Sequence, residues 1–357
     1  MKKSLHFGVA GVLSNVLGAL LITATVVFTV TAPVSCKVTE SGIEVDSEDV
    51  VAPEIQDFSI ESSSYASVRC SVPFSLSDLI MSSNSDGKDY GIGENAVAFD
   101  ESRSTAKIYF PAETETGKSY TLSGVISDNK GNSLKFSKDF VGFNDNQAFL
   151  VIKEVRPTSE NTKKKAAYVS FCALKGGNLA GTELLFGYYN TKYTFPSITV
   201  KSGETIVLHL RSYGEASDGY VDELGDDLAL SYAFESDNLA RDLWIPGTEL
   251  YLSGSTDVIA LVNAYKDSAV DGLLFIKEAG KSWSRKNQKS LAALLQSSGV
   301  WNSDSPESAG VTGISSAAKS IQRKDFASLV SSFSGNAPSC MSSTKGDWDI
   351  ASATVGK

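Results

Sequence analysis

The sequence predicts an all-β protein, two β-sandwiches in tandem behind an N-terminal signal or anchor helix. Three observations predict it. From Val51 to about Asn144, apolar and polar residues alternate with period two, punctuated by turn-forming residues. At roughly 150 residues per domain, 357 residues suggest about two domains, each long enough to bury its own core. An uncharged run from Leu5 to about Val34 follows Lys2 and Lys3, which is the layout of a secretory leader.

The leader spans residues 1–35. Its run ends in Pro33-Val34-Ser35-Cys36, which resembles a lipobox, where small residues precede a cysteine that takes a diacylglyceryl group and becomes the new first residue. Ser35 fits that pattern, Pro33 stands where Leu is usual, and the looser version in spirochaete lipoproteins admits it. The resemblance implies lipidation (palmitate-type acylation) of Cys36, with the membrane as a partner through buried acyl methylenes. The uncharged stretch also exceeds the roughly 20 residues that span a bilayer, so an uncleaved anchor stays open. Lys37 after the cysteine is compatible with onward sorting. The expected place is therefore the cell envelope, lipid-anchored, with the outer membrane favoured over the inner. Residues 36–52, with Glu40, Glu44, Asp46, Glu48 and Asp49 among few apolar residues, read as an acidic linker.

Residues 53–145 form the first module. Val68, Cys70, Val72 and Phe74 alternate with polar neighbours, as do Ala106, Ile108 and Phe110, then Tyr120, Leu122, Gly124 and Ile126. Asp128-Asn129-Lys130-Gly131-Asn132 supplies residues that tolerate positive φ before Leu134, Phe136 and Phe140, so it is a hairpin turn. The stretch Tyr120 to Phe140 resembles the last two strands of bacterial immunoglobulin-like domains, and that resemblance implies a sandwich with the tyrosine at a corner.

Residues 148–357 form the second module. An Ile-x-Glu-Val-x-Pro opening (Ile152 to Pro157), Tyr168-Val169, Asn178 to Leu184, Tyr193-Thr194-Phe195-Pro196 and Ser202 to Leu208 follow one another in order. Together they resemble the lamin-tail domain, an immunoglobulin-like β-sandwich. Thr256 to Val262, Ala269 to Leu273, Lys319 to Arg323, Asp347-Trp348 and Thr354 to Lys357 resemble its later segments. Ser170-Phe171 stands where that family has Glu-Leu. Two insertions depart further: a polar stretch from Ser212 to Trp244, and a helical segment Asn287 to Gln296 with Leu291, Leu294 and Leu295 at helical spacing.

Charge and residue supply narrow the function. With 32 basic and 42 acidic side chains the net charge is −10, a field that repels phosphate backbones and makes nucleic acid a poor partner. Of two histidines, His6 lies in the leader, leaving His209, which reads as a strand residue meeting solvent. No histidine-based metal site or triad can be built from it, and no Gly-x-Ser-x-Gly elbow exists. Gly91 to Ala96 matches a nucleotide fingerprint in letters, but it follows a polar loop and opens no helix, so it reads as a loop. No cofactor or metal is expected. Cys70, Cys172 and Cys340 leave two readings open, a Cys172–Cys340 bridge or three buried thiols.

The expected function is non-enzymatic: a membrane-anchored envelope lipoprotein serving as a binding, adhesive or scaffolding module with a protein or glycan partner. The one basic patch, where Lys281, Trp283 and Arg285 combine cations with an aromatic ring, marks its candidate ligand contact. The competing expectation is an exported hydrolase using a divalent ion at the acidic loop around Asp222, where Glu215, Asp218, Glu223, Asp226 and Asp227 also crowd. Paired carboxylates for glycoside hydrolysis are conceivable there, but no aromatic platform can be assigned beside them from the sequence.

Overall fold

A computed structural model of the chain describes residues 36–39, 42–45, 52–266, 268–279, 281–303, 310–314, 316–333 and 335–356. The expected signal segment, 1–35, lies outside the described residues. The stretch read as a spacer contains a hairpin, Cys36–Thr39 against Gly42–Val45. Beyond it the chain is all-β, with two α-helices, Lys286–Ser297 and Phe326–Ser332, among the described residues.

The strands between residues 55 and 141 form two antiparallel four-stranded sheets. One orders Ile55–Ser62, Tyr65–Cys70, Thr105–Tyr109 and Val97–Phe99; the other orders Ser133–Val141, Ser119–Asp128, Phe74–Ser83 and Lys88–Gly91. The pairing of first, second, sixth and fifth strands against the rest is the immunoglobulin-like arrangement. Alternation fixes the inward faces, where Val68, Ile108, Leu122, Ile126 and Phe136 are buried. The run Val68 to Phe74 is not one strand, however. It stops at Cys70 and resumes in the opposite sheet at Phe74, so Val72 is exposed at the crossing beside Pro73, which has no N–H to give a ladder. Tyr120 takes the corner: its hydroxyl accepts the Glu115 N–H at 3.0 Å. The Asp128 carboxylate accepts the Lys130 and Asn132 N–H groups, both at 2.9 Å, and thereby closes the hairpin turn.

From residue 149 a six-stranded and a five-stranded sheet face each other. The larger orders Ala240–Trp244, Thr205–His209, Tyr168–Lys175, Phe149–Arg156, Lys319–Arg323 and Trp348–Ser352, with only Ala240–Trp244 parallel to its neighbour. The smaller orders Thr191–Thr194, Thr182–Phe186, Asp257–Asn263, Ser268–Ile276 and Val311–Thr312. The apolar faces of both sheets form one core.

Both sheets are also covered on the outside, which explains why strands such as Phe149–Arg156 are buried on both faces. Phe326, Val330 and Phe333 of the tail pack on Phe149, Val151 and Cys172 of the larger sheet. The helix Lys286–Ser297 packs on the smaller one through Ala292 and Leu295. Gly272 permits that approach, because a Cβ there would stand 2.4 Å from Leu295 Cδ2.

The two sandwiches meet at Tyr265. Its ring joins the first core and packs beside Phe143, its hydroxyl donates to the Gly142 carbonyl at 2.9 Å, and its own carbonyl accepts the Ile60 N–H at 3.0 Å.

Candidate functional site

The buried ionisable groups of the second sandwich are committed to holding it together. Asp271 and Arg323 form a two-point ion pair at 2.7 Å, and each is tied further, Asp271 by the Ile152 and Gly272 N–H groups and Arg323 by the Ile152 carbonyl and Ser343. Burial raises the Asp271 carboxyl while the Arg323 charge opposes that shift. Glu154, from the Ile-x-Glu-Val-x-Pro opening, gathers donors from Tyr168, Ser320, Gln322 and Thr354. It thereby fastens the C-terminal tail to the central strand. Asp257 accepts N–H groups from Tyr188, Ser253 and Val258, and burial pushes its carboxyl up to about 7.

His209 does not meet solvent. It lies on the face opposite Ile206 and Leu208, as the alternation requires, but the segment from Ser212 onward folds over that face and leaves it 1% exposed. Its Nε2 shares a hydrogen bond of 2.7 Å with Asp242 Oδ1, and its ring stacks on Trp244 with centroids 3.8 Å apart and planes at 10°. Tyr220 meets the same indole edge-on at 5.0 Å.

The acidic loop is spent on the sheet edge rather than gathered round an ion. Ala240–Trp244 is an edge strand whose outward N–H groups would otherwise be open to another chain. Asp242 N–H donates to Glu223 Oε2 and Trp244 N–H to Asp222 Oδ1, each at 2.7 Å. Glu223 Oε1 accepts the Leu230 and Ser231 N–H groups as well. Arg241 reaches the Glu204 carboxylate at 2.7 Å and the carbonyls of Glu223 and Gly225. Among the described residues, no group of three or more His, Cys, Asp or Glu side chains converges as a metal cage.

Above this edge lies a cavity of about 590 Å³ walled by Tyr213, Glu215, Tyr220, Asp222 and Trp244. Asp222 therefore has the aromatic neighbours that no sequence assignment supplied. The rings do interleave the acidic residues from 213 to 244, and that is the signal which points to them. The same insertion exposes Leu224, Tyr232, Phe234 and Leu239.

The remaining expected site residues are scattered. Trp283 is 1% exposed and belongs to the core, so it cannot be a surface contact, while Lys281 and Arg285 are exposed. Arg285 lies over the Tyr188 ring at 4.4 Å. The Cys172–Cys340 bridge is absent: Cys70, Cys172 and Cys340 are free thiols, the first two buried. Gly91 ends a strand and residues 94–96 make a single 3-10 turn before the strand Val97–Phe99. Cys36 opens the N-terminal hairpin. No helix among the described residues is long and apolar enough to cross a membrane.

Fold and site together define a β-sandwich protein whose interior charges serve the sheets and which has a cavity beside an inserted loop. Over residues 148–350, more than half of the chain, it matches the family described as "TP_1001_2nd: protein second domain", and it belongs to that family. A relative from Treponema pallidum (strain Nichols), described as "Uncharacterized protein", is 28% identical over 246 residues, which cover 63% of this chain and 61% of the relative. The chain thus spans less than two thirds of that relative's length. Among solved structures, the N-terminal part of the bacterial S-layer protein SbsC is similar at a TM-score of 0.25 and 10% identity, over 65% of this chain and 45% of that one. A DUF4876 family protein from Bacteroides thetaiotaomicron is similar at 0.27 and 12%, over 71% and 83%. Likeness at that level says nothing about what this chain does.

Proposed function

We propose that this chain is a membrane-anchored envelope lipoprotein acting as a non-enzymatic binding, adhesive or scaffolding module. The observation that carries the reading is the commitment of the interior ionisable groups. Asp271, Glu154, Asp257, Glu223, Asp242 and His209 each hold a strand, a tail or an edge and are at most 1% exposed, so none is placed within hydrogen-bond reach of a substrate at the surface. The leader and Cys36 support the anchored part of the reading, with a lipid on Cys36 and sorting to the outer membrane. The order of pieces from Ile152 to Lys357 supports a lamin-tail-like second module. A protein or glycan would be the partner, met by exposed loops including Lys281 and Arg285.

Two measurements test this. Radiolabelled palmitate should mark the wild-type chain and not the Cys36→Ser variant, whose body should leave the membrane fraction; an unlabelled wild-type chain that still partitions to membranes overturns the lipid anchor. Calcium or magnesium titration, followed by thermal unfolding, should leave the midpoint unmoved. A metal-induced rise lost in an Asp222→Ala, Asp226→Ala double variant would instead support the hydrolase.

A further inference from the structure

We infer that copies of this chain associate head to tail, the inserted segment of one docking on the basic surface around the helix Lys286–Ser297 of the next. The inference rests on reading the chain as a scaffolding module, and it names the partner. Of the ten large apolar side chains that are exposed among the described residues, five, Leu224, Leu230, Tyr232, Phe234 and Leu239, lie on the insertion. Exposed apolar residues gathered in this way mark a surface that another surface covers. Their frame is acidic. Asp218, Asp222, Asp226 and Asp227 are exposed, no Lys or Arg occurs from residue 212 to 240, and the neighbouring Lys165 is already paired with Glu235 at 3.1 Å.

The same chain carries the complement. Lys277, Lys281, Arg285, Lys286 and Lys289 are exposed in a segment whose one acidic residue is Glu278, and the four lysines form no ion pair among the described residues. Arg285, Lys286 and Lys289 crowd the N-terminal end of the helix, whose first turn holds no acidic residue. That end of a helix is already positive, so it disfavours these cations and favours an arriving carboxylate. Tyr189, 37% exposed against the Tyr188 ring that Arg285 covers, gives this surface an apolar element to meet the incoming Leu and Phe side chains.

The two surfaces cannot meet within one chain. The insertion lies on the outer face of the six-stranded sheet, over His209, whereas the helix lies on the outer face of the five-stranded sheet, over Gly272. A contact between them joins two copies and leaves one surface free at each end, which gives an open chain of copies rather than a closed dimer. An anionic lipid surface would use the basic face and leave the apolar insertion in water, whereas a second copy uses both. The −10 net charge opposes association at long range. At about 0.15 M salt, exposed charges more than about 8 Å apart are largely screened, while pairs half-buried in a contact are screened much less.

Sedimentation velocity of the full chain in non-ionic detergent, across micromolar concentrations, tests the contact. The sedimentation coefficient should climb with concentration without levelling at a dimer, and the climb should shrink as salt is raised. Asp226→Lys with Asp227→Lys should abolish it, and so should Lys281→Glu with Lys286→Glu. A chain carrying all four changes should regain it, because the charges are exchanged and not removed, and this regain also shows that neither pair of changes acts by unfolding the chain. Leu239→Ser should weaken association about tenfold. A wild-type chain that stays monomeric, assemblies that stop at two copies, association that survives either reversal, or four changes that restore nothing in a chain with the wild-type unfolding midpoint would overturn the inference. If the chain is monomeric yet carries palmitate on Cys36, the envelope reading stands without it.

Discussion

His209 and Asp242 face each other across the parallel strand pair, with Nε2 2.7 Å from Oδ1 and both side chains withdrawn from water. Asp242 Oδ2 has no partner of its own, so the imidazole is the carboxylate's one side-chain contact among the described residues. Removing one partner of a buried pair strands the other charge. His209→Phe, which can still stack on Trp244, should therefore cost about 3–5 kcal/mol, read as a lowered urea midpoint. Asp242→Asn, whose side-chain oxygen can still accept a hydrogen bond from the imidazole, should cost less.

The Asp271–Arg323 pair should behave as a unit. Asp271→Ala and Arg323→Met should each cost about 3–5 kcal/mol, because each leaves a buried charge uncompensated. The double variant should cost less than the two singles combined, by about 0.5–3 kcal/mol in a denaturant double-mutant cycle. Simple additivity would mean that the two side chains act through their backbone contacts alone.

Asp257 makes stability depend on pH in an unusual direction. Its carboxyl titrates near 3.8 when free and is pushed up to about 7 by burial in the fold. Between those values the folded state holds a proton that the unfolded state has released, so stability falls as pH rises through that window. The contribution is complete below about pH 4 and gone above about pH 7. Thermal midpoints across this range should show the decline, and Asp257→Asn should flatten it.

The thiols should differ in reactivity. Burial pushes the Cys70 thiol up to about 11 and raises that of Cys172, and the thiolate is the reacting form. Cys340 is only half-buried. Iodoacetamide followed by peptide mass mapping of the folded chain should mark Cys340 first, with Cys70 and Cys172 labelled only on unfolding. A Cys172–Cys340 peptide in the non-reduced digest would contradict the free thiols.

Tyr265 should couple the two sandwiches. Tyr265→Phe removes the bond to the Gly142 carbonyl and should cost about 1 kcal/mol. Tyr265→Ala also empties a place in the first core and should cost about 3–5 kcal/mol. Calorimetry should then resolve the lower-melting first sandwich as a separate transition.

Much of the fold was legible because alternation and turns are local. Tyr120, Leu122 and Ile126 point inward, the Asp128 turn closes where its Asn and Gly residues allow, and the Leu291–Leu295 spacing gives a helix, Lys286–Ser297. The site was less legible. Trp283 beside lysines looked like a surface ring, yet it packs into the core, because charge neighbours in sequence do not reveal which side of the chain a ring takes. The carboxylates at 222 and 223 looked like an ion trap, yet each is held by N–H groups of a strand about 20 residues away.

By itself the sequence determined that this chain is built of strands, where they turn, and which side chains share a face, since those follow from a two-residue repeat and the φ preferences of single residues. Only the tertiary structure decided whether a face is covered. His209 sits on the side the repeat assigns, and an insertion that begins three residues later closes over it. Burial and charge pairing depend on contacts between residues such as Asp271 and Arg323, and no local pattern encodes a partner 52 positions away.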